Sequence, residues 1–158
     1  MNTVEKSIVV DVPIRTAYNQ WTQFEEFPQF MEGIEQVQQV GDKHTHWRAN
    51  IAFKSVEWDA DIIEQTPDER VSWRSTTGAY NAGTVSFLPE GSDQTRVTLR
   101  LEYEPEGFFE NVGSALGLVD SRVESDLKRF KEFIEQRGRE TGAWRGEIHG
   151  GQATGQSS

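Results

Sequence analysis

Residues 47–62 read WRANIAFKSVEWDADI, and the parity of their apolar side chains changes partway along. Trp47, Ala49, Ile51 and Phe53 hold odd positions, whereas Val56, Trp58, Ala60 and Ile62 hold even ones. Side chains on a strand alternate between faces, so each half reads as one half-buried strand. The parity changes at Lys54-Ser55, and a two-residue hairpin loop there keeps both apolar sets on the same face. This register pairs Phe53 with Val56, Ile51 with Trp58 and Trp47 with Ile62. On the outer face it sets Asp61 between Arg48 and Arg74, and Asn50 beside Asp59.

The same period of two extends in both directions, from Ile34 to Tyr103. Gly41-Asp42-Lys43, Thr66-Pro67-Asp68, Gly78-Ala79-Tyr80 and Pro89-Glu90-Gly91 punctuate it with turn-forming residues. A turn at Pro67-Asp68 brings Ile62 opposite Trp73 and Asp61 opposite Arg74. A loop at Ala79 pairs Trp73 with Val85 and Val71 with Phe87, and the next loop pairs Phe87 with Thr95, Val85 with Val97 and Gly83 with Leu99. Six antiparallel strands result. Val4, Ile8, Val10 and Val12 add an N-terminal strand, making seven.

Helices flank this run. Pro13 fits a first helical turn, with Asp11 placed to cap it, and Ile14, Ala17, Tyr18 and Trp21 form an apolar stripe to about Phe24. A second short helix is expected over Phe24 to Met31, limited by Pro28 and ended by Gly33. Val112, Leu116, Val119, Val123, Leu127, Phe130 and Ile134 recur at spacings of three and four, which predicts a long C-terminal helix. Its polar face carries Glu124, Lys128, Arg129, Lys131 and Glu132. From Gly138 the chain turns rich in Gly, Gln and Ser, and 138–158 is expected to be a flexible tail on a domain of residues 1–137, with Trp144 able to dock part of it.

A curved sheet with one apolar face must cover it, and the long helix is the element large enough to do so. The expected architecture is α+β helix-grip: a seven-stranded antiparallel sheet wrapped around the C-terminal helix. Where sheet and helix fail to close completely, a ligand cavity remains.

Composition narrows the function classes. The chain has 158 residues, 26 acidic against 16 basic, for a net charge of −10. Such a charge repels a phosphate backbone and an anionic bilayer surface, so neither nucleic acid nor a membrane is an expected partner. There is no apolar run of about 20 residues, the length a membrane span requires. The absence of cysteine excludes disulfides and thiolate sites and suits a reducing cytoplasm. G-x-S-x-G, P-loop, G-x-G-x-x-G and H-E-x-x-H patterns are all missing, so no cofactor is expected and no catalytic residue is assigned.

Val10, Val12 and Pro13, then Tyr18 and Trp21, then Phe24, Phe27, Pro28, Phe30 and Met31, then Ile34 and Val37 form a spaced pattern. Together with the order of elements it resembles the START/Bet v 1-like (SRPBCC) superfamily, and within it the polyketide cyclase/dehydrase and coenzyme Q-binding branch. The resemblance runs from Val4 to Arg137. It implies the helix-grip fold and leaves function open, because lipid carriers, hormone receptors, allergens and cyclases share that scaffold.

His44 and His46 point to one strand face and can hold zinc if a third ligand converges, but no partner is fixed by sequence and the plain reading is a solvated strand start. Glu57, Asp59 and Asp61 read as a cross-strand charge ladder rather than an acid/base cluster. Trp47, Trp58 and Trp73 on adjacent strands suit either a platform for a planar ring or an aromatic core under the helix. Ser75, Thr77, Asn81 and Tyr103 share the apolar parity, where a buried hydroxyl or amide needs a partner. The candidate ligand-binding set is therefore Trp47, Trp58, Trp73, Ser75, Tyr103, Phe87, Leu116, Val119 and Val123. The leading expectation is binding or carriage of a hydrophobic small molecule: a quinone, a lipid or an aromatic polyketide. One alternative is a cyclase promoting aldol closure and dehydration. The other is a stress-related or interaction protein without such a ligand. Monomer and dimer are equally compatible with the sequence.

Overall fold

The computed structural model describes residues 2–51, 54–104 and 115–154, with side chains over 2–50, 55–104 and 119–151. Strand β1 (Asn2–Val10) leads into helix α1 (Ile14–Trp21) and a 3₁₀ helix over Phe24–Gln29. Six strands follow: β2 (Ile34–Val40), β3 (His44–Ile51), β4 (Lys54–Thr66), β5 (Arg70–Gly78), β6 (Asn81–Gly91) and β7 (Gln94–Tyr103). Helix α2 (Ala115–Arg137) precedes two short strands, β8 (Glu147–His149) and β9 (Gln152–Thr154). The main sheet is antiparallel, in the order β1-β7-β6-β5-β4-β3-β2, so the strands that flank α1 in sequence lie at opposite edges. This is the expected seven-stranded helix-grip sheet.

Helix α2 supplies the grip. Val119, Val123, Leu127, Phe130 and Ile134 are buried, as their spacing predicts, and each such burial stabilises by about 1.5–3 kcal/mol. Val112 and the Leu116 side chain lie outside the described residues. Polar ties hold α2 to β1 and to the turn after it: Lys131 Nζ donates to Val9 O (3.0 Å), and the Asp11 N–H donates to Glu135 Oε2 (2.7 Å). Asp11 does not cap α1. Its Oδ1 accepts from Gln94 Nε2 (2.7 Å), and the helix begins after Pro13 without a side-chain cap. Pro28 restricts the second helix to a 3₁₀ turn whose Phe24 and Phe27, with Phe30 just beyond, reach the core.

Register is where structure and expectation part. The β3–β4 hairpin pairs Ile51 with Lys54, Ala49 with Val56 and Trp47 with Trp58. The turn thus falls two residues earlier than Lys54-Ser55, and every partner moves by four. Parity is unchanged by an even shift, so the apolar face is as expected. The β4–β5 pairs Ile62–Trp73 and Asp61–Arg74 occur as predicted. Beyond them each pairing slips by two: Val71 faces Val85, Trp73 faces Gly83, and Phe87 faces Val97. Two bulges add detail that no alternation encodes. One lets Thr76 out of register between Ser75 and Thr77, which turns Thr77 outward toward Asp59 rather than inward. The other, at Ile63, turns Gln65 into the core, where it is buried.

The segment after Gly138 is not a flexible tail over its described part. Strand β3 covers only residues 54–61 of the long β4, and β8 takes the edge left open, pairing Ile148 with Gln65. The Gly151 N–H donates to Ile63 O (2.9 Å), and Ile148 is fully buried. Along the way the segment satisfies the buried polar face of α1. Asn19 Nδ2 donates to Glu140 Oε2 (2.7 Å), Arg145 Nη1 to Asn19 Oδ1 (2.6 Å), and Thr141 N–H to Gln20 Oε1 (2.8 Å). The Trp144 N–H reaches Thr22 Oγ1 (3.1 Å), and Arg145 also pairs with Asp68 (2.8 Å). Buried polar groups require such partners, so α1 and the C-terminal segment are parts of one domain.

Candidate functional site

Between the sheet and the amino-terminal half of α2 lies a cavity of about 280 Å³. Its floor is aromatic. Trp47 and Trp58 stand opposite each other on β3 and β4 and stack with ring centroids 5.9 Å apart and planes 7° from parallel. Phe27 abuts Trp47 (5.7 Å), and Trp21 packs edge-on to Phe130 of α2 (4.8 Å). Trp73 lines the wall separately. It pairs with Ile62, four residues along β4 from Trp58, so the three tryptophans form a stacked pair plus one rather than a single platform.

The inward polar groups are largely engaged with one another. Trp73 Nε1 donates to Asn81 Oδ1 (2.9 Å), Asn81 Nδ2 donates to Ala79 O (3.2 Å), and the Asn81 N–H donates to Ser75 Oγ (3.1 Å). Trp47 Nε1 donates to Thr45 Oγ1 (2.7 Å). Of the residues singled out in the sequence, Trp47, Trp58, Trp73, Tyr103, Val119 and Val123 line the cavity. Ser75 does not, because it serves the β5–β6 turn. Phe87 does not either: it packs on Tyr18 (5.5 Å) and against Trp21 (6.5 Å). The Leu116 side chain lies outside the described residues.

Helix α2 contributes two charged lining residues that strand parity misses, Arg122 and Asp126. They follow Val119 at spacings of three and four, so they share its face of the helix. Arg122 Nη1 donates to Glu32 O, and Asp126 Oδ1 accepts the Glu32 N–H (3.2 Å). Arg129, one turn further, pairs with the Glu32 carboxylate. Three residues of α2 therefore clasp the Glu32-Gly33 turn at the cavity's end. Gly33 is required there. Its φ is +93°, and a Cβ would stand 2.2 Å from Arg122 Nη1. Loss of water around the Asp126 carboxyl pushes its pKa up to about 7, against the opposing pull of Arg122, the Glu32 N–H and Arg129.

The outer sheet face is a separate arrangement. His44 Nδ1 meets Asp61 Oδ1 (2.8 Å), and His46 contacts Asp59 and Glu57. The corrected hairpin accounts for this, since it pairs Asp61 with His44 and Asp59 with His46 where Arg48 and Asn50 were expected. The carboxylates raise the pKa of His46, and His46 in turn lowers that of Asp59. Among the described residues no group of three or more His, Cys, Asp or Glu side chains is placed to hold a metal ion. Nor is any helix among them long and apolar enough to cross a membrane.

Comparison with known proteins agrees with this geometry. Residues 10–132 match the family described as polyketide cyclase / dehydrase and lipid transport. An uncharacterized 17.2 kDa protein of Streptomyces lincolnensis is 50% identical over 149 residues, covering 94% of this chain and 99% of that protein. A START superfamily protein from Mycobacterium smegmatis superposes with a TM-score of 0.73 at 17% identity, over 85% of this chain and 98% of the other. A Streptomyces aromatase/cyclase gives 0.70 at 14% identity, over 90% and 98%. At those identities the two structures attest the fold alone. The match across most of the chain, carried on a helix-grip fold with an aromatic cavity, makes this chain a member of the polyketide cyclase/dehydrase and lipid transport family.

Proposed function

We propose that the chain binds a hydrophobic small molecule in the cavity between its sheet and α2. The observation that carries this reading is the wall itself: stacked indoles, phenyl rings and aliphatic side chains enclose about 280 Å³, enough for a two- or three-ring aromatic or part of an isoprenoid tail. The stacked Trp47 and Trp58 indoles line the cavity from the sheet, and Val119 and Val123 line it from the helix. Coenzyme Q-type quinones, lipids and aromatic polyketides are the ligand classes of that shape. A cytoplasmic carrier or sensor fits the acidic, cysteine-free chain. Native mass spectrometry of freshly purified protein, followed by organic extraction, tests the reading. A co-purifying compound of one of these classes supports it. Empty protein whose tryptophan fluorescence also ignores a panel of quinones, lipids and polyketide mimics overturns it.

Asp126 favours a second reading, an enzyme acting on a β-polyketone. A half-buried carboxylate titrating near neutrality at the polar end of an otherwise apolar cavity is suited to general-base work. Asp126 would remove a proton from a carbon between two carbonyls, with Arg122 holding the enolate oxygen. That carbon would attack a distal ketone to form the ring bond, the new alkoxide would take a proton, and water would leave. Incubation with a linear β-polyketone mimic would then yield an aromatic product, and Asp126→Asn would slow it roughly 100-fold or more. Equal rates in the two proteins exclude the reading.

A further inference from the structure

The polar end of the cavity restricts what can bind there. The Trp73 and Asn81 groups satisfy each other, and the Trp47 N–H is held by Thr45. Charge faces the cavity at Arg122 and Asp126. Their hydrogen-bonding capacities are opposite: a guanidinium only donates, and an ionised carboxylate only accepts. Among the described residues the Asp126 carboxylate has one hydrogen-bond donor, the Glu32 N–H, which reaches Oδ1. A ligand that fills the cavity and displaces water must therefore bring a donor to Asp126, or it leaves a half-buried carboxylate short of a partner.

Resting on the ligand-binding reading above, we propose that the cavity selects molecules bearing a weakly acidic hydroxyl (a phenol, hydroquinone or enol) on an apolar ring system, the O–H donating to Asp126 and a neighbouring oxygen accepting from Arg122. Quinones in their oxidised form offer only acceptors and lack the first contact. Ethers lack it as well. Carboxylates gain Arg122 but set a negative charge beside Asp126.

Isothermal titration calorimetry on the full chain tests this with 2-naphthol, 2-methoxynaphthalene and 2-naphthoate, which share a naphthalene ring and differ in its one substituent. At about pH 8, where Asp126 is ionised, the naphthol binds roughly tenfold or more tighter than its methyl ether. Asp126→Asn shrinks that ratio, since a neutral amide is the weaker acceptor. Wild-type protein at about pH 5.5 provides a check that needs no variant: a protonated Asp126 donates to the ether oxygen, and the ratio again falls. The other groups facing Asp126 do not confuse this arm. Those groups are Arg122, Arg129 and Glu32, and Glu32 stays ionised because Arg129 lowers its pKa. Equal affinity for naphthol and ether, or tighter binding of the naphthoate, overturns this proposal and leaves the cavity reading standing. Failure of all three probes to bind also overturns this proposal, while the cavity reading falls only if the quinones, lipids and polyketide mimics fail as well.

Discussion

The Trp73 indole occupies the space in which a Gly83 side chain would begin: a Cβ built on Gly83 stands 2.5 Å from both Cζ2 and Cη2 of Trp73, and 2.8 Å from Arg100 O. Strands β5 and β6 set the two residues opposite each other, so the bare backbone of β6 is what lets this ring form cavity wall. Gly83→Ala is expected to push the indole off Asn81 and destabilise the fold by about 1–3 kcal/mol, the usual cost of overpacking. Thermal unfolding reads the loss. An unchanged melting temperature would show that the ring has room to move.

Ile148 gives the C-terminal segment its weight. It is fully buried on the open edge of β4, and Ile148→Ala should cost about 2–5 kcal/mol in urea unfolding, as for a core isoleucine. A loss within a few tenths of a kcal/mol would mark the segment as a loose attachment.

The His46–Asp59 contact makes stability depend on pH with a definite sign. His46 has a raised pKa, so its contribution is complete below about 6.5 and is lost as pH rises through the folded value. Asp59 has a lowered pKa, so its contribution is complete above about 3.9 and is lost as pH falls through the folded value. The pair stabilises most between those limits. His46→Gln should flatten the decline above neutrality by less than about 1 kcal/mol, because both side chains are about a third or more exposed. Chemical denaturation across pH 5 to 9 decides, and a slope identical to wild type refutes the assignment.

Asp126 acts in the same direction from a different cause. Its folded pKa of about 7 exceeds the unfolded value near 3.9, so folding takes up a proton between those limits and stability falls as pH rises through them. Asp126→Asn keeps an oxygen for the Glu32 N–H and removes the charge. The variant should match wild type at about pH 4 and exceed it at about pH 8. A variant no more stable at the higher pH would show the carboxylate to be well solvated.

Period-two alternation sufficed for the strand count, the inward face and most of the aromatic lining, because face depends only on parity. Register depends on where each turn closes and on bulges, and alternation is blind to both. Hence Trp47 found Trp58 instead of Ile62, Thr77 turned out, and Gln65 turned in. Arg122 and Asp126 escape a division of the helix into an apolar stripe and a charged face, because a cavity is lined from the border between the two. Their place was written at three and seven residues from Val119. The ordered segment after Gly138 was concealed by its Gly-rich composition. Its signal lay elsewhere, in Asn19, Gln20 and Thr22, polar residues on a helix with no partner in sight until Glu140, Thr141 and Trp144 arrive.

The strand order also fixes a timetable for folding. Successive hairpins from β2 to β7 join neighbours in sequence and can form as each emerges from the ribosome. Strand β1 cannot join them as early, because its partner is β7, with Asn2 opposite Tyr103. Until that pairing forms, β1 has no ladder and the apolar face has no α2 to cover it. Completion of the sheet is thus a long-range closure of the kind that sets slow folding rates and draws chaperones.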